Sequence, residues 1–328
     1  MEPTIESEYN KYLQTAQILA ETPGTNEYEK ANSVERLMLA LANTMIDPQQ
    51  AYEQFVRETK SKQHVSDKIA ELAAERAREI LSNAPREQQA TVMAKIIGGM
   101  FTYRDYTRKI SPGRMRLLRN LGGDHATALM LMRYATIMPG SQHWNVPHET
   151  YEVLYSAGYH LEAFASPVNS QLIAYPGTSF CSLFPDVDKP FGSIGSFFDV
   201  ALEGTFAVIN PPYIDSMFIA IANKLSTVNT KLPTKFYITT AAWQDSEGFQ
   251  LLLAQARFAA ILPANSHFYR NTNDTSDPTG VKIVAKFPTA IFEIAHNMPC
   301  EPIEYYEKII RSNCVGRPQY DLLKHDSA

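Results

Sequence analysis

Two hydrophobic periods divide the chain. Before Pro139-Gly140 the apolar positions recur at three- and four-residue intervals, the spacing of one helix face. Ser33 caps a helix carrying Val34, Leu37, Met38, Leu41 and Met45, and Pro48 follows it. Ser66 and Asp67 open a second helix with Ile69, Leu72, Ala73, Ala77 and Ile80, which Pro85 stops. A third is expected from Gln88 to Gly98 and a fourth from Asp124 to Met138. The pattern predicts an all-α domain over residues 1–140.

Beyond Pro139-Gly140 short β-rich runs alternate with helical ones. His160–Ser166, Thr205–Asn210 and Lys235–Thr240 read as strands, and Asp215–Leu225 and Ser246–Ala256 as helices. Val281–Phe287 and Thr289–Ala295, separated by Pro288, read as an antiparallel addition at one side of the sheet. Strands alternating with helices imply an α/β domain with a largely parallel, doubly wound sheet over residues 141–300. Such a sheet binds ligands at the carboxyl ends of its strands. Residues 301–328 are expected to be a C-terminal extension.

At 328 residues the chain is long enough for two cores. A net charge of −5 argues against a protein that coats nucleic acid by bulk charge, but leaves room for a local basic groove. Cys181, Cys300 and Cys314 are scattered, and the eight histidines show no ligand spacing, so no metal is expected and a reducing compartment is favoured. The N-terminus lacks a basic start and apolar run, and no apolar stretch approaches the roughly 18 residues of a membrane span. The expectation is an intracellular protein of nucleus or cytoplasm, without a membrane.

The chemistry concentrates at Asn210-Pro211-Pro212-Tyr213, directly after the apolar run Phe206–Ile209. Two prolines stop the strand and stiffen the turn, presenting an amide and an aromatic ring together. This suits methylation of a planar exocyclic amine, whose lone pair is delocalised into its ring. The Asn210 side-chain oxygen and the Pro211 carbonyl can hold the two amine hydrogens, while Tyr213 stacks on the base. The alternative is a helix-entry turn with Tyr213 in the core. The motif also occurs in enzymes that methylate a glutamine amide in release factors. Those place a Gly-rich loop far upstream, whereas here the Gly-rich candidate, Gly192-Ser193-Ile194-Gly195, lies only a short way before Asn210.

Over a longer window the chain resembles the cap-specific adenosine N6-methyltransferases of the phosphorylated CTD-interacting factor 1 family. The matching residues begin at His143-Trp144-Asn145-Val146-Pro147 and Tyr151, and continue through Phe164-Ala165-Ser166-Pro167-Val168-Asn169. They then include Phe184–Asp188, Phe191–Ser193, Gly195 and Gly204–Phe206, leading into Asn210–Tyr213. Trp243, Leu262-Pro263-Ala264, His267, Tyr269, Arg270 and Thr289-Ala290 follow in order. The family usually has Phe where this chain has Tyr213. The resemblance implies a Rossmann-like class I methyltransferase domain, S-adenosylmethionine as cofactor, and N6 methylation of the first transcribed adenosine beside a 7-methylguanosine cap. By position it makes Ala165, Ser166, Pro167 and Asn169 the cofactor-side loop after the first strand. Asp186, Asp188, Phe191, Gly192 and Ser193 are further cofactor candidates, with a solvated turn around Pro185 and Pro190 as the alternative for the two aspartates.

Both tryptophans, Trp144 and Trp243, fall in this match, so no WW domain and no binding to the polymerase tail are expected. Capped mRNA is the expected partner. Arg104, Arg108, Lys109 and Arg114 lie in a locally basic stretch with Phe101, Tyr103 and Tyr106 interleaved, a composition suited to single-stranded RNA or a cap. The alternative is a solvated basic face above core aromatics. Trp243 and the segment His267, Tyr269 and Arg270 complete the substrate candidates, followed by the polar run Asn271–Thr279. Two other functions stay open at this point: a DNA adenine N6-methyltransferase of viral or phage type, and an inactive cap- or RNA-binding module.

Overall fold

A computed structural model describes residues 3–21, 93–135, 144–228, 231–271 and 280–326. The helices expected at Val34–Met45 and Ser66–Ile80 lie outside the described residues, as do His143 and residues 272–279. Two compact units divide between Gln142 and His143.

The first unit is not all-α. Beside α1 (Ile5–Glu21) and α2 (Pro112–Ala135) it holds an antiparallel meander of β1 (Lys95–Ile97), β2 (Met100–Tyr103) and β3 (Tyr106–Lys109). Lys95–Ile97 was expected to end a helix. Gly98-Gly99 instead turns the chain so that Ile97 faces Met100, and a Cβ on Gly99 would stand 2.2 Å from the Ile110 carbonyl oxygen. Paired Gly residues favour such a turn over a helix interior. The helix expected from Asp124 is the second half of α2, which breaks at Gly123 (φ 76°).

The second unit is a three-layer α/β fold. Its seven-stranded sheet runs β13-β9-β12-β8-β7-β5-β6. The strands are β5 (Leu161–Ala165), β6 (Ser179–Ser182), β7 (Phe206–Ile209), β8 (Thr234–Ala241), β9 (Phe258–Leu262), β12 (Thr289–His296) and β13 (Asp321–His325). β6, β5, β7 and β8 are mutually parallel, and β12 is antiparallel to both β8 and β9. A mostly parallel sheet of this kind is compatible with a Rossmann-like domain. Side chains alternate between its two faces. Ala207, Ile209, Phe236 and Ile238 meet Phe218, Ile221, Phe249 and Leu252 of α5 (Asp215–Ser226) and α6 (Glu247–Gln255). Val208 and Tyr237 meet Tyr151, Leu154, Tyr306 and Ile310 of α3 (His148–Ser156) and α7 (Ile303–Asn313). The short α4 (Pro185–Asp188) follows β6. All eight residues of β8 are buried, as a central strand covered on both faces must be.

One expectation is corrected here. Val281–Phe287 and Thr289–Ala295 do not pair with each other at one side. β12 inserts between β8 and β9, while β11 (Val281–Val284) joins β10 (Phe268–Asn271) and β4 (Trp144–Asn145) in a separate three-stranded sheet. Within residues 301–326, α7 covers one face of the seven-stranded sheet, and β13 adds an edge strand beside β9.

Candidate active site

The path of the chain opens the site. From β5 it passes to β6 on one side, then returns to β7 on the other, so the connections after β5 and β7 diverge. Open sheets of this kind bind their ligands at such a switch point, outside the carboxyl ends of the strands. The loop Ser166–Asn169 leaves β5 there and Asn210–Tyr213 leaves β7. Two groups of residues far apart in sequence thus come together.

The loop after β5 is closed on itself. The Ser166 amide and hydroxyl both donate to Asn169 Oδ1, at 2.7 and 2.9 Å, and the Ser170 amide donates to the Ser166 carbonyl at 2.9 Å. Beneath it Glu162, wholly buried in β5, collects four donors. Tyr151 donates to Oε1 at 2.8 Å, while the Ser170 hydroxyl and the amides of Gln171 and Leu172 donate to Oε2 at 2.8, 2.9 and 3.2 Å. Burial raises its carboxyl above the usual range, and these hydrogen bonds pull it back. Glu162 has no motif around it; only a charged residue inside a predicted strand marked it.

Asn210 is oriented by its neighbours. Its Nδ2 donates to the Trp144 carbonyl at 3.2 Å and to Asn145 Oδ1 at 3.4 Å, and its Oδ1 accepts from the Thr239 hydroxyl at 2.8 Å. A backbone carbonyl can only accept, so the amide nitrogen must face Trp144. The oxygen retains a second lone pair.

Tyr213 heads a buried chain of hydrogen bonds. Its hydroxyl lies 2.6 Å from that of Tyr269, which lies 2.7 Å from Thr289 Oγ1, which lies 2.7 Å from His267 Nε2. His267 Nδ1 is 3.0 Å from the Pro263 carbonyl and so carries the proton. Burial holds the imidazole neutral, with its pKa lowered to about 4, leaving Nε2 bare. Direction follows: Thr289 donates to His267, Tyr269 to Thr289, and Tyr213 to Tyr269. Burial pushes the Tyr213 phenol well above its usual range and that of Tyr269 up to about 12. Trp144, Tyr269 and Phe287 stack around this chain, and Tyr213 meets Phe287 edge-on at 6.0 Å. Phe287 closes an expected strand; nothing in the sequence marked it as part of the site.

The depressed His267 pKa sets a pH dependence. Between about pH 6.5 and 4 the unfolded chain binds a proton that the folded one refuses, so stability falls as pH drops through that window. The loss is on the order of 3 kcal/mol. Denaturation of His267→Gln against wild type across this range should show a flatter profile in the variant; parallel profiles would contradict the assigned neutral state.

Past β6 the candidates separate. Asp186 is exposed, whereas Asp188, Phe191 and Ser193 are buried. Gly192 takes φ 102°, open to glycine without strain, and Ser193 meets Ser182 at 2.7 Å between hydroxyl oxygens. Trp243, 44% exposed beyond β8, packs on Phe218. Arg270 is engaged by Glu149 at 2.7 Å and by the Gly280 carbonyl at 3.1 Å. Among the described residues no group of three or more His, Cys, Asp or Glu is placed to hold a metal ion, and no helix is long and apolar enough to cross a membrane.

The basic stretch belongs to the first unit and is less open than its sequence suggests. Arg104 pairs with Glu6 at 2.8 Å, and Arg108 and Arg114 are buried. Lys109 is exposed.

Comparison with known proteins finds matches over the segment that carries these loops. A family model described as "Phosphorylated CTD interacting factor 1 WW domain" matches residues 124–272. The human protein named mRNA (2'-O-methyladenosine-N(6)-)-methyltransferase is 33% identical over 135 residues, which cover 39% of this chain and 18% of that protein. The mouse protein of the same name is 31% identical over the same length and shares. The match therefore spans less than a fifth of these relatives. The WW domain in the family description stands against the expectation of a chain without that module. The matched residues contain β4 to β10, including both loops at the switch point. These matches support the resemblance to the phosphorylated CTD-interacting factor 1 family that the sequence carries.

Proposed function

We propose that this chain is an S-adenosylmethionine-dependent methyltransferase acting on the N6 nitrogen of adenosine in RNA, with the first transcribed adenosine beside a 7-methylguanosine cap as its substrate. The observation that carries the reading is the side chain of Asn210, fixed at the carboxyl end of β7 with its oxygen turned away from the Trp144 carbonyl. An exocyclic amine needs acceptors for its hydrogens. Asn210 Oδ1 has a lone pair left for one, and the Pro211 carbonyl can take the other. Pro211 and Pro212 have no N–H, so the turn offers the amine no competing donors. Holding both hydrogens favours a pyramidal nitrogen whose lone pair is free to attack.

The residues around the switch point fit the cofactor. The closed loop Ser166–Asn169 lies at the switch point, and the exposed carboxylate of Asp186, just past β6, suits ribose hydroxyls. When bound, S-adenosylmethionine supplies an electrophilic methyl group on a sulfonium. The chain's own part is to orient the amine and exclude alternatives. His267 takes no proton from the base, because its Nε2 already accepts from Thr289. The methylated nitrogen loses its extra proton to water. The names of the human and mouse relatives support RNA as the substrate class, and the free thiols of Cys181, Cys300 and Cys314 support an intracellular location.

Labelled methyl transfer to capped RNA, uncapped RNA and DNA oligonucleotides, read by nucleoside mass spectrometry, tests the proposal. N6-methylated adenosine at the capped end is expected. Transfer to DNA alone would identify a DNA enzyme, and cofactor binding without transfer would identify an inactive binding module.

Tyr213 supplies a finer check. Tyr213→Phe keeps the ring and removes only the first donor of the hydrogen-bonded chain, so a loss of about 1 kcal/mol or less is expected. Tyr213→Ala should lose roughly 1–3 kcal/mol of base stacking, read as weaker RNA binding. Equal losses in the two variants would place the function in the hydroxyl instead.

A further inference from the structure

We infer that Asn145 is a positioning residue that ties the cofactor-side loop after β5 to the acceptor amide of Asn210, so that the state of one loop is transmitted to the other. The inference rests on the function proposed above and adds a residue to it.

Asn145 belongs to the two-residue strand β4, which β10 holds through the pairs Asn145–Arg270 and Trp144–Asn271. It is 1% exposed, yet it is polar and spends both ends of its carboxamide on the two loops. Its Nδ2 donates to the Asn169 carbonyl at 2.5 Å. Its Oδ1 accepts from Asn210 Nδ2 at 3.4 Å.

The polarity of this line is forced. The Asn169 carbonyl only accepts, so Asn145 must turn its nitrogen there and its oxygen toward Asn210. Only the nitrogen of Asn210 can answer that oxygen, and the Trp144 carbonyl makes the same demand at 3.2 Å. Asn210 must then present its oxygen on the far side, where Thr239 donates to it at 2.8 Å. The acceptor offered to the substrate amine is therefore set jointly by the Trp144 carbonyl and, through Asn145, by the loop that Asn169 closes through its own side chain with Ser166. A ligand that orders the loop after β5 fixes the Asn169 carbonyl, and through Asn145 it fixes the atom that meets the amine. Hydrogen-bonded amides in series also polarise one another, strengthening the acceptor at the end of the line.

The test uses the full chain with Asn145→Leu, which keeps the branching at Cγ but is larger, and the smaller Asn145→Ser as a second variant should the first fail to fold. Three readouts are needed: binding of S-adenosylhomocysteine, kcat per binding-competent molecule, and KM for RNA. Each variant should bind S-adenosylhomocysteine about tenfold more weakly, the worth of a buried hydrogen bond. Each should lose at least about tenfold in kcat with KM for RNA changed little. A purely structural residue would lower the competent fraction and the melting temperature but leave kcat per competent molecule unchanged.

Combination with Asn210→Ala decides the route. If Asn145 acts through Asn210, its removal costs kcat less than about twofold in the Asn210→Ala background, while the loss of S-adenosylhomocysteine binding persists. Additive losses in kcat, or unchanged S-adenosylhomocysteine binding in the single variants, would overturn the inference while leaving the proposed function intact. A wild-type chain that transfers no methyl group to RNA or DNA would overturn both.

Discussion

Asn210→Ala should lower the rate of methyl transfer by about 10²–10³ while leaving affinity for S-adenosylhomocysteine within about twofold. The asymmetry comes from where the side chain spends its atoms. Its nitrogen is committed to Trp144 and Asn145, and its oxygen to Thr239 and, on the proposed function, to an amine hydrogen whose acidity rises as the nitrogen is methylated. The last of these strengthens in the transition state, so its loss appears in rate and not in ground-state binding. Asn210→Asp makes the same point with no change of volume. A carboxylate oxygen would face the Trp144 carbonyl, which cannot donate, so the side chain must turn and this variant should fare no better than alanine. Thermal melts should move by only a few degrees, since the residue is half-buried and its partners have other neighbours. An Asn210→Ala enzyme within threefold of wild type would remove Asn210 from the chemistry.

The strands that carry this site were legible because each is a short apolar run with a helix after it. Phe206–Ile209, Thr234–Ala241 and Asp215–Ser226 stand within a residue or two of their expected bounds. The motif at Asn210 was legible for the same reason: two prolines after a strand leave few local conformations. Strand order was not. Whether β12 sits at the side of the sheet or between β8 and β9 depends on pairing with residues far away in sequence, and a buried antiparallel strand reads the same in either place. The meander Lys95–Lys109 was missed because three strands of three or four residues are too short for period two to outweigh the helical pattern before them. The bonds that Asn145 and Glu162 make were not legible for another reason. A polar residue in an apolar run shows that something must satisfy it, but not what does. The basic stretch reads differently once folded, since a run of arginines does not reveal that Glu6, about a hundred residues earlier, pairs with Arg104.

Glu162 gives the second large effect, and it separates two substitutions that look alike. Glu162→Ala strips the acceptor from Tyr151, Ser170, Gln171 and Leu172 at once. The amides of Gln171 and Leu172 can only donate, and a buried N–H left without a partner costs about 1–3 kcal/mol. With the hydroxyls and the cavity included, a loss of about 3–5 kcal/mol in folding stability is expected. Affinity for S-adenosylhomocysteine should fall with it, because the loop carrying Ser166 and Asn169 loses its floor. Glu162→Gln should lose about 1 kcal/mol or less. Its oxygen can take the place of Oε2, where the backbone amides demand an acceptor, and its nitrogen can donate to Tyr151, whose hydroxyl turns to accept. The pH profile adds a sign. Burial raises the folded pKa of Glu162, so the folded chain holds its proton at a pH where the unfolded chain has released it. Its contribution to stability is then present below the ordinary carboxylate pKa and declines as pH rises through the folded value. Glutamine has no such slope, so the variant should gain on wild type as pH rises from about 4.5 upward. Chemical denaturation of the three proteins across that range measures both effects. Equal destabilisation by alanine and glutamine would mean that the charge itself, not its geometry as an acceptor, holds the loop.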